Sequence, residues 1–210
     1  MQKNITRVAT GALATALIAA TVAVWAQNAP PMRVRGTIEK VDGNTLTVKA
    51  RDGAELKIET PDNVRVMSFV KAALSDIKPN SYIGVTAEPQ PDGSQRAVAI
   101  HIFTEAQRGT GEGHRPWDLR PGTTMTNAAV ETIAAGVDGQ VLTVKYKAGD
   151  KTDEKKVIVP PNIPIVAYAP GDKSELKPGA AIIIFNATKQ PDGSLQTPVV
   201  NVGRGLTPPM

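Results

Sequence analysis

The chain has no cysteine, only two histidines, and few aromatics: two Trp, three Tyr and three Phe in 210 residues. Without cysteine there are no disulfides, no thiol nucleophile and no thiolate metal site. Two histidines, His101 and His114, exclude a three-histidine catalytic zinc site. No Gly-x-Ser-x-Gly elbow and no paired-carboxylate motif stands out, so the expectation is a non-enzyme with no cofactor. Past the N-terminus no apolar run approaches the roughly 18 residues a spanning helix needs, which excludes a multi-span permease. Charge of one sign is scarce as well, with 24 basic against 20 acidic residues.

What is present begins with a basic segment, Met1–Arg7, carrying Lys3 and Arg7. A small-residue apolar run follows from Val8 to Ala26. This is the composition of a secretory signal, with Val24 and Ala26 at the exit and Gln27 as the new N-terminus. The competing reading is an uncleaved anchor, but a run made mostly of Ala and Thr is weakly hydrophobic for that role. The expected address is therefore periplasmic or secreted, with no membrane span after signal cleavage. Losing Lys3 and Arg7 lowers the net charge from +4 to +2, too little for a nucleic-acid footprint. Single-strand binders also need aromatic stacking platforms, and Val34–Glu59 contains none.

The rest of the chain is a duplication. Val41-Asp42-Gly43-Asn44-Thr45-Leu46-Thr47-Val48-Lys49 recurs as Val137-Asp138-Gly139-Gln140-Val141-Leu142-Thr143-Val144-Lys145. Asp76-Ile77-Lys78-Pro79 recurs as Glu175-Leu176-Lys177-Pro178, and Gln90-Pro91-Asp92-Gly93-Ser94 as Gln190-Pro191-Asp192-Gly193-Ser194. Three matches in one order define two copies, 32–103 and 128–203. A linker, 104–127, joins them and an extended tail, 204–210, follows.

Each copy reads as short strands of period two, with Leu46, Val48, Leu56 and Ile58 on the inner face. Asp-Gly pairs mark the hairpins. The spacing of Phe69, Ala73 and Ile77 predicts a short helix over 68–77 between strands three and four, stopped by Pro79. The expected fold is all-β: two tandem five-stranded OB-like barrels with a short helix between strands three and four, shrunk in copy two to about one turn at Asp172–Leu176. Val157–Val159 and Ile182–Phe185 are apolar on both faces, which predicts that copy two packs on copy one or self-associates.

Arg35-Gly36-Thr37-Ile38, Asp76-Ile77-Lys78-Pro79, Gln90-Pro91-Asp92-Gly93-Ser94 and the linker Arg108–Leu119 carry a further resemblance. On these residues the chain resembles exported bacterial proteins built on repeated OB-like domains of unknown function. The resemblance implies the fold and the export; it supplies no site residues.

Candidate site residues come from the linker and strand five. Trp117, flanked by Arg115 and Asp118, reads as a plug between the domains fixed by an Arg115–Asp118 bridge, or as a ligand platform. Tyr82, Tyr146, Tyr168 and Trp117 are the aromatics available to line a cleft. His101, His114 and Glu112 form a candidate site for Zn²⁺ or Cu²⁺ if the linker folds back. Against it stands the plainer reading of His101 as a solvent-facing strand residue and His114 as a loop hydrogen bonder. The expected role is a non-catalytic binding or envelope-associated structural module whose partner is an envelope protein or a glycan. The alternative is a divalent-metal-binding protein using the two histidines.

Overall fold

The computed structural model describes residues 31–210; the apolar N-terminal stretch lies outside them. The described residues form fourteen strands. The first copy supplies β1 (Met32–Asp42), β2 (Thr45–Ala50), β3 (Glu55–Glu59), β4 (Arg65–Lys71), β5 (Tyr82–Pro89) and β6 (Gln95–Ile102). The linker adds β7 (Gly113–Pro116). The second copy, entered through β8 (Thr124–Gly136), continues with β9 (Gly139–Ala148), β10 (Lys151–Val159), β11 (Ile165–Pro170), β12 (Ala181–Lys189), β13 (Leu195–Gln196) and β14 (Val199–Gly203). The fold is all-β, as the period-two patterning predicts. The hairpins sit at the Asp-Gly pairs: Gly43 turns β1 into β2 at φ 58°, a left-handed value that suits glycine.

Hairpin pairings stay within a copy, but the pairings that join these hairpins into closed ladders run across the copies. β8, β9 and β10 of copy two close with β6 and β5 of copy one into a five-stranded barrel, β8-β9-β10-β6-β5 and back to β8, with the β10–β6 contact parallel. Ladders in the other half follow the same order. β1, β2 and β3 of copy one meet β13 in parallel, β13 continues to β12, and β12 returns to β1. The cores follow the ladders. One combines Ile77, Ile83, Val85 and Ile100 with Val130, Leu142, Val144 and Val157. The other combines Val34, Ile38, Val48 and Ile58 with Leu176, Ile182, Ile184 and Val202. The expected tandem arrangement thus gives way to an exchange, in which each core is half one copy and half the other.

The exchange explains the missing helix. Arg65–Lys71 is strand, and only Leu74–Asp76 coils into a single 3-10 turn. Phe69 and Ile77, aligned on one face of the predicted helix, belong to different cores. The segment is pulled out straight to carry the chain from one half of the molecule to the other. β11 does the same for copy two, and the two crossing strands pair antiparallel, with Phe69 opposite Tyr168. These two residues hold equivalent positions in the copies, 99 apart like Asp76 and Glu175, so an approximate twofold axis passes between them. Their rings lie 4.4 Å apart within a third core that also takes in Tyr82, Phe103, Met125, Val166 and Ile183.

β12 is buried on both faces as its composition predicts, with Ile182 and Ile184 in the second of the two exchanged cores and Ile183 in the third core. The expected extended tail is instead docked: Met210 is fully buried in the third core, and Arg35 Nε donates to its carbonyl at 2.7 Å.

Two outcomes follow from exchanged cores. Residues 31–108 and 109–210, produced separately, are expected to remain largely unfolded and to fold on mixing, as read by circular dichroism and gel filtration. Cores confined to single copies would instead give two independently folded fragments. Phe69→Ala is expected to cost about 3–5 kcal/mol of stability in denaturant titration, in the range for emptying a buried phenylalanine site. It should unfold both halves in one transition.

Candidate functional site

Between the two halves, beside the third core, lies a cleft of about 520 Å³ lined by Arg33, His101, Phe103, Arg115, Trp117, Asn127, Tyr168 and Phe185, among others. Its floor is built by strand register. His101 on β6 stands opposite Gly84 on β5, and Gly84 opposite Asn127 on β8, so all three share the outward row of the barrel. A Cβ at residue 84 would sit 2.0 Å from His101 and 2.7 Å from Asn127 Oδ1. Gly84 is the small residue that lets the two polar side chains lie down there.

The walls are aromatic. Phe103 and Tyr168 stack at 5.2 Å with planes 16° apart, and His101 meets their edges at 4.7 and 5.7 Å. Trp117 closes the far side, 6.4 Å from Phe185, with the Arg33 guanidinium 3.7 Å and that of Arg115 5.6 Å from its ring. Of the cleft aromatics the sequence singled out, Trp117 and Tyr168 are present. Tyr82 packs in the third core, and Tyr146 lies in a barrel core with its hydroxyl donating to Asp153 at 2.9 Å.

Electrostatics around Trp117 differ from the expected bridge. Asp118 pairs with Arg33 at 2.6 Å and Arg35 at 2.7 Å, not with Arg115. Burial works to raise the Asp118 carboxyl, but the hydrogen bonds from Arg35 and Arg33 outweigh it and hold the group at about 2. Arg115 donates from Nη1 to the Gly111 carbonyl at 2.7 Å and has no carboxylate within 4.0 Å among the described residues. Partial burial, and the positive charge of Arg33, lower its proton affinity.

The two histidines do not meet. His114 pairs with Thr126, one step along from Asn127, and therefore takes the opposite face of the sheet from His101. Its Nδ1 lies 2.8 Å from Thr126 Oγ1. Glu112 is exposed at the rim and accepts from the Lys147 backbone at 2.9 Å. Among the described residues no cluster of three or more His, Asp or Glu side chains is arranged to hold a metal. His101 is also not the solvent-facing residue that its place on the barrel exterior predicts. It is 4% exposed because the third core covers that exterior.

Polar dissatisfaction is concentrated in the cleft. Four buried side-chain polar atoms have no hydrogen-bond partner among the described residues, and three of them, Arg33 Nε, Trp117 Nε1 and Asn127 Oδ1, belong to cleft residues. A buried polar atom without a partner costs about 1–3 kcal/mol, so such atoms concentrate where something else satisfies them. A wider, open hollow of about 750 Å³ lies at Glu175 and Arg204. There Arg204 is already bonded to both Glu175 oxygens, Ser68 Oγ and the Pro170 carbonyl. Arg33, Asn127 and Phe185 were not singled out as site residues by the sequence, because their meeting at the cleft depends on pairing between β1 and β12 and between β5 and β8.

The chain matches no family model, no curated protein and no solved structure.

His101 makes the folded state sensitive to acid. Burial, assisted by the charge of Arg115, pushes its pKa down to about 3 from 6.5. Between these values the unfolded chain binds a proton that the folded chain refuses, so stability falls as pH drops from about 6.5 toward 3. The slope of unfolding free energy against pH should approach about 1.4 kcal/mol per pH unit for this one group. His101→Asn, which installs the side chain of the equivalent position Asn201, should flatten that limb in denaturant titrations at stepped pH.

Proposed function

We propose that this protein is an exported, non-catalytic binding module that holds a small ligand in the cleft beside Trp117. The observation that carries this reading is that three of the four buried polar atoms without partners among the described residues belong to residues lining one aromatic-walled cleft. Its volume of about 520 Å³ falls within the range of small-molecule sites. The two halves are read as OB-like barrels with exchanged strands. In both, strands one, two and three are closed by a fifth and then a fourth strand, with a parallel third-to-fifth contact, an order that fits a Greek-key barrel of that type. The basic, apolar start of the chain supports export, and the duplicated fold supports a rigid scaffold without catalytic machinery. The two-histidine metal site is not carried forward, because His101 and His114 face opposite sides of their sheet.

The test is a fragment and glycan screen read by amide and indole chemical shifts. Binders are expected to move Trp117, Asn127 and Phe103 together. At a hundred times its dissociation constant a binder should add about 2.7 kcal/mol to the unfolding free energy. Binders that instead cluster at Glu175 and Arg204, or a screen without any, would overturn the reading.

A further inference from the structure

Resting on the reading of the cleft as a binding site, we infer that its ligand is a small monoanionic carboxylate with a flat apolar body and one O–H or N–H donor. Each part answers a feature of the cleft. The carboxylate answers Arg115. Arg33 and Arg35 share Asp118, which leaves the Arg115 guanidinium with one backbone bond and no counter-charge among the described residues. A guanidinium is built for two parallel bonds to a carboxylate, and partial burial strengthens them. Trp117 Nε1 and Arg33 Nε are further donors without partners in the same cleft.

The donor on the ligand answers Asn127. That residue is 5% exposed, and its amide nitrogen is committed to the Thr110 carbonyl at 3.0 Å. The orientation is thereby set, and Oδ1, lying over Gly84 beside His101, is left as an acceptor without a partner. The flat body answers the stacked pair Phe103 and Tyr168 together with Trp117 and Phe185. The single charge answers Glu112. This exposed residue stands at the rim of the same cleft, and its negative charge disfavours phosphate dianions and dicarboxylates relative to a single carboxylate.

The probes are 4-hydroxybenzoate, its neutral methyl ester, benzoate, inorganic phosphate and neutral cell-wall sugars, titrated by calorimetry into the full chain. The expected result is that 4-hydroxybenzoate binds at least about tenfold tighter than the ester, which lacks the charge, and than benzoate, which lacks the donor. Arg115→Gln should remove the preference for acid over ester while leaving the circular dichroism spectrum unchanged. Trp117→Phe should weaken acid and ester alike. Equal affinity for acid and ester, or an Arg115→Gln variant that still prefers the acid, would overturn the carboxylate assignment. Tighter binding of phosphate than of 4-hydroxybenzoate would overturn it too. Sugar binding that moves Trp117 and Asn127, with no acid binding, would sink the carboxylate and keep the cleft. No binding by any probe would remove both.

Discussion

The antiparallel contact between β4 and β11 is the constraint from which the rest of the architecture follows. Each strand is the place where one copy leaves the half in which it began, and each is flanked in parallel by a fifth strand, β14 beside β4 and β6 beside β11. With Phe69 opposite Tyr168 at the approximate axis, the crossing strands are paired through their most buried aromatic residues. Were either segment to coil into the helix that its spacing suggests, it could not span the two halves. The strand at this point and the exchange of strands between the copies are therefore one choice, made by the β-branched and aromatic content of Phe69 and Val70 together with the register they share with β11.

The cleft arises because the two copies have diverged on opposite sides of that axis. Gly84 and His101 in copy one correspond to Ile183 and Asn201 in copy two. On the second side Ile183 fills the space, and Asn201 donates from Nδ2 to the Ile183 carbonyl at 3.0 Å, which satisfies that amide nitrogen. On the first side the glycine leaves room, His101 lies over it, and Asn127 keeps a free acceptor. The linker has no counterpart in the repeat, and it brings Arg115 and Trp117 to the open side only. The approximate symmetry of the scaffold is thus broken at this recess, placed where the third core meets the surface.

How much of this was legible in the sequence divides along a physical line. Strands, hairpins and the apolar faces are local properties, and period two with Asp-Gly turns at 42–43 and 138–139 located them. Burial of β12 on both faces was legible for the same reason, since Ile182–Ile184 leaves no polar side. Exchange was not legible, because a strand that closes its own copy and a strand that closes its neighbour have the same pattern of apolar residues. The candidate site was half legible. Trp117, Arg115 and His101 stood out by rarity or context, and all three line the cleft. Asn127 and Arg33 are common residue types whose meaning depends on which strand lies opposite. The bridge of Asp118 to Arg33 and Arg35, in place of Arg115, has the same cause: the partners lie more than 80 residues away in β1.

Exchange also sets how a ligand in the cleft would act on the chain. Arg33 and Phe185 come from the half built on β1 and β12, His101, Phe103 and Asn127 from or beside the closed barrel, and Tyr168 from the crossing strand. No single copy contains the site, and no single half of the structure does either. A barrel of about 70 residues without disulfides or metal has little stability of its own. Here neither of the two cores can form before both copies are present, so the two cores and the seam must form together. A molecule bound at the seam contacts both halves and adds its binding free energy to the whole cooperative unit rather than to one domain. Three of the four unpartnered buried polar atoms among the described residues lie at that seam, on side chains drawn from both halves.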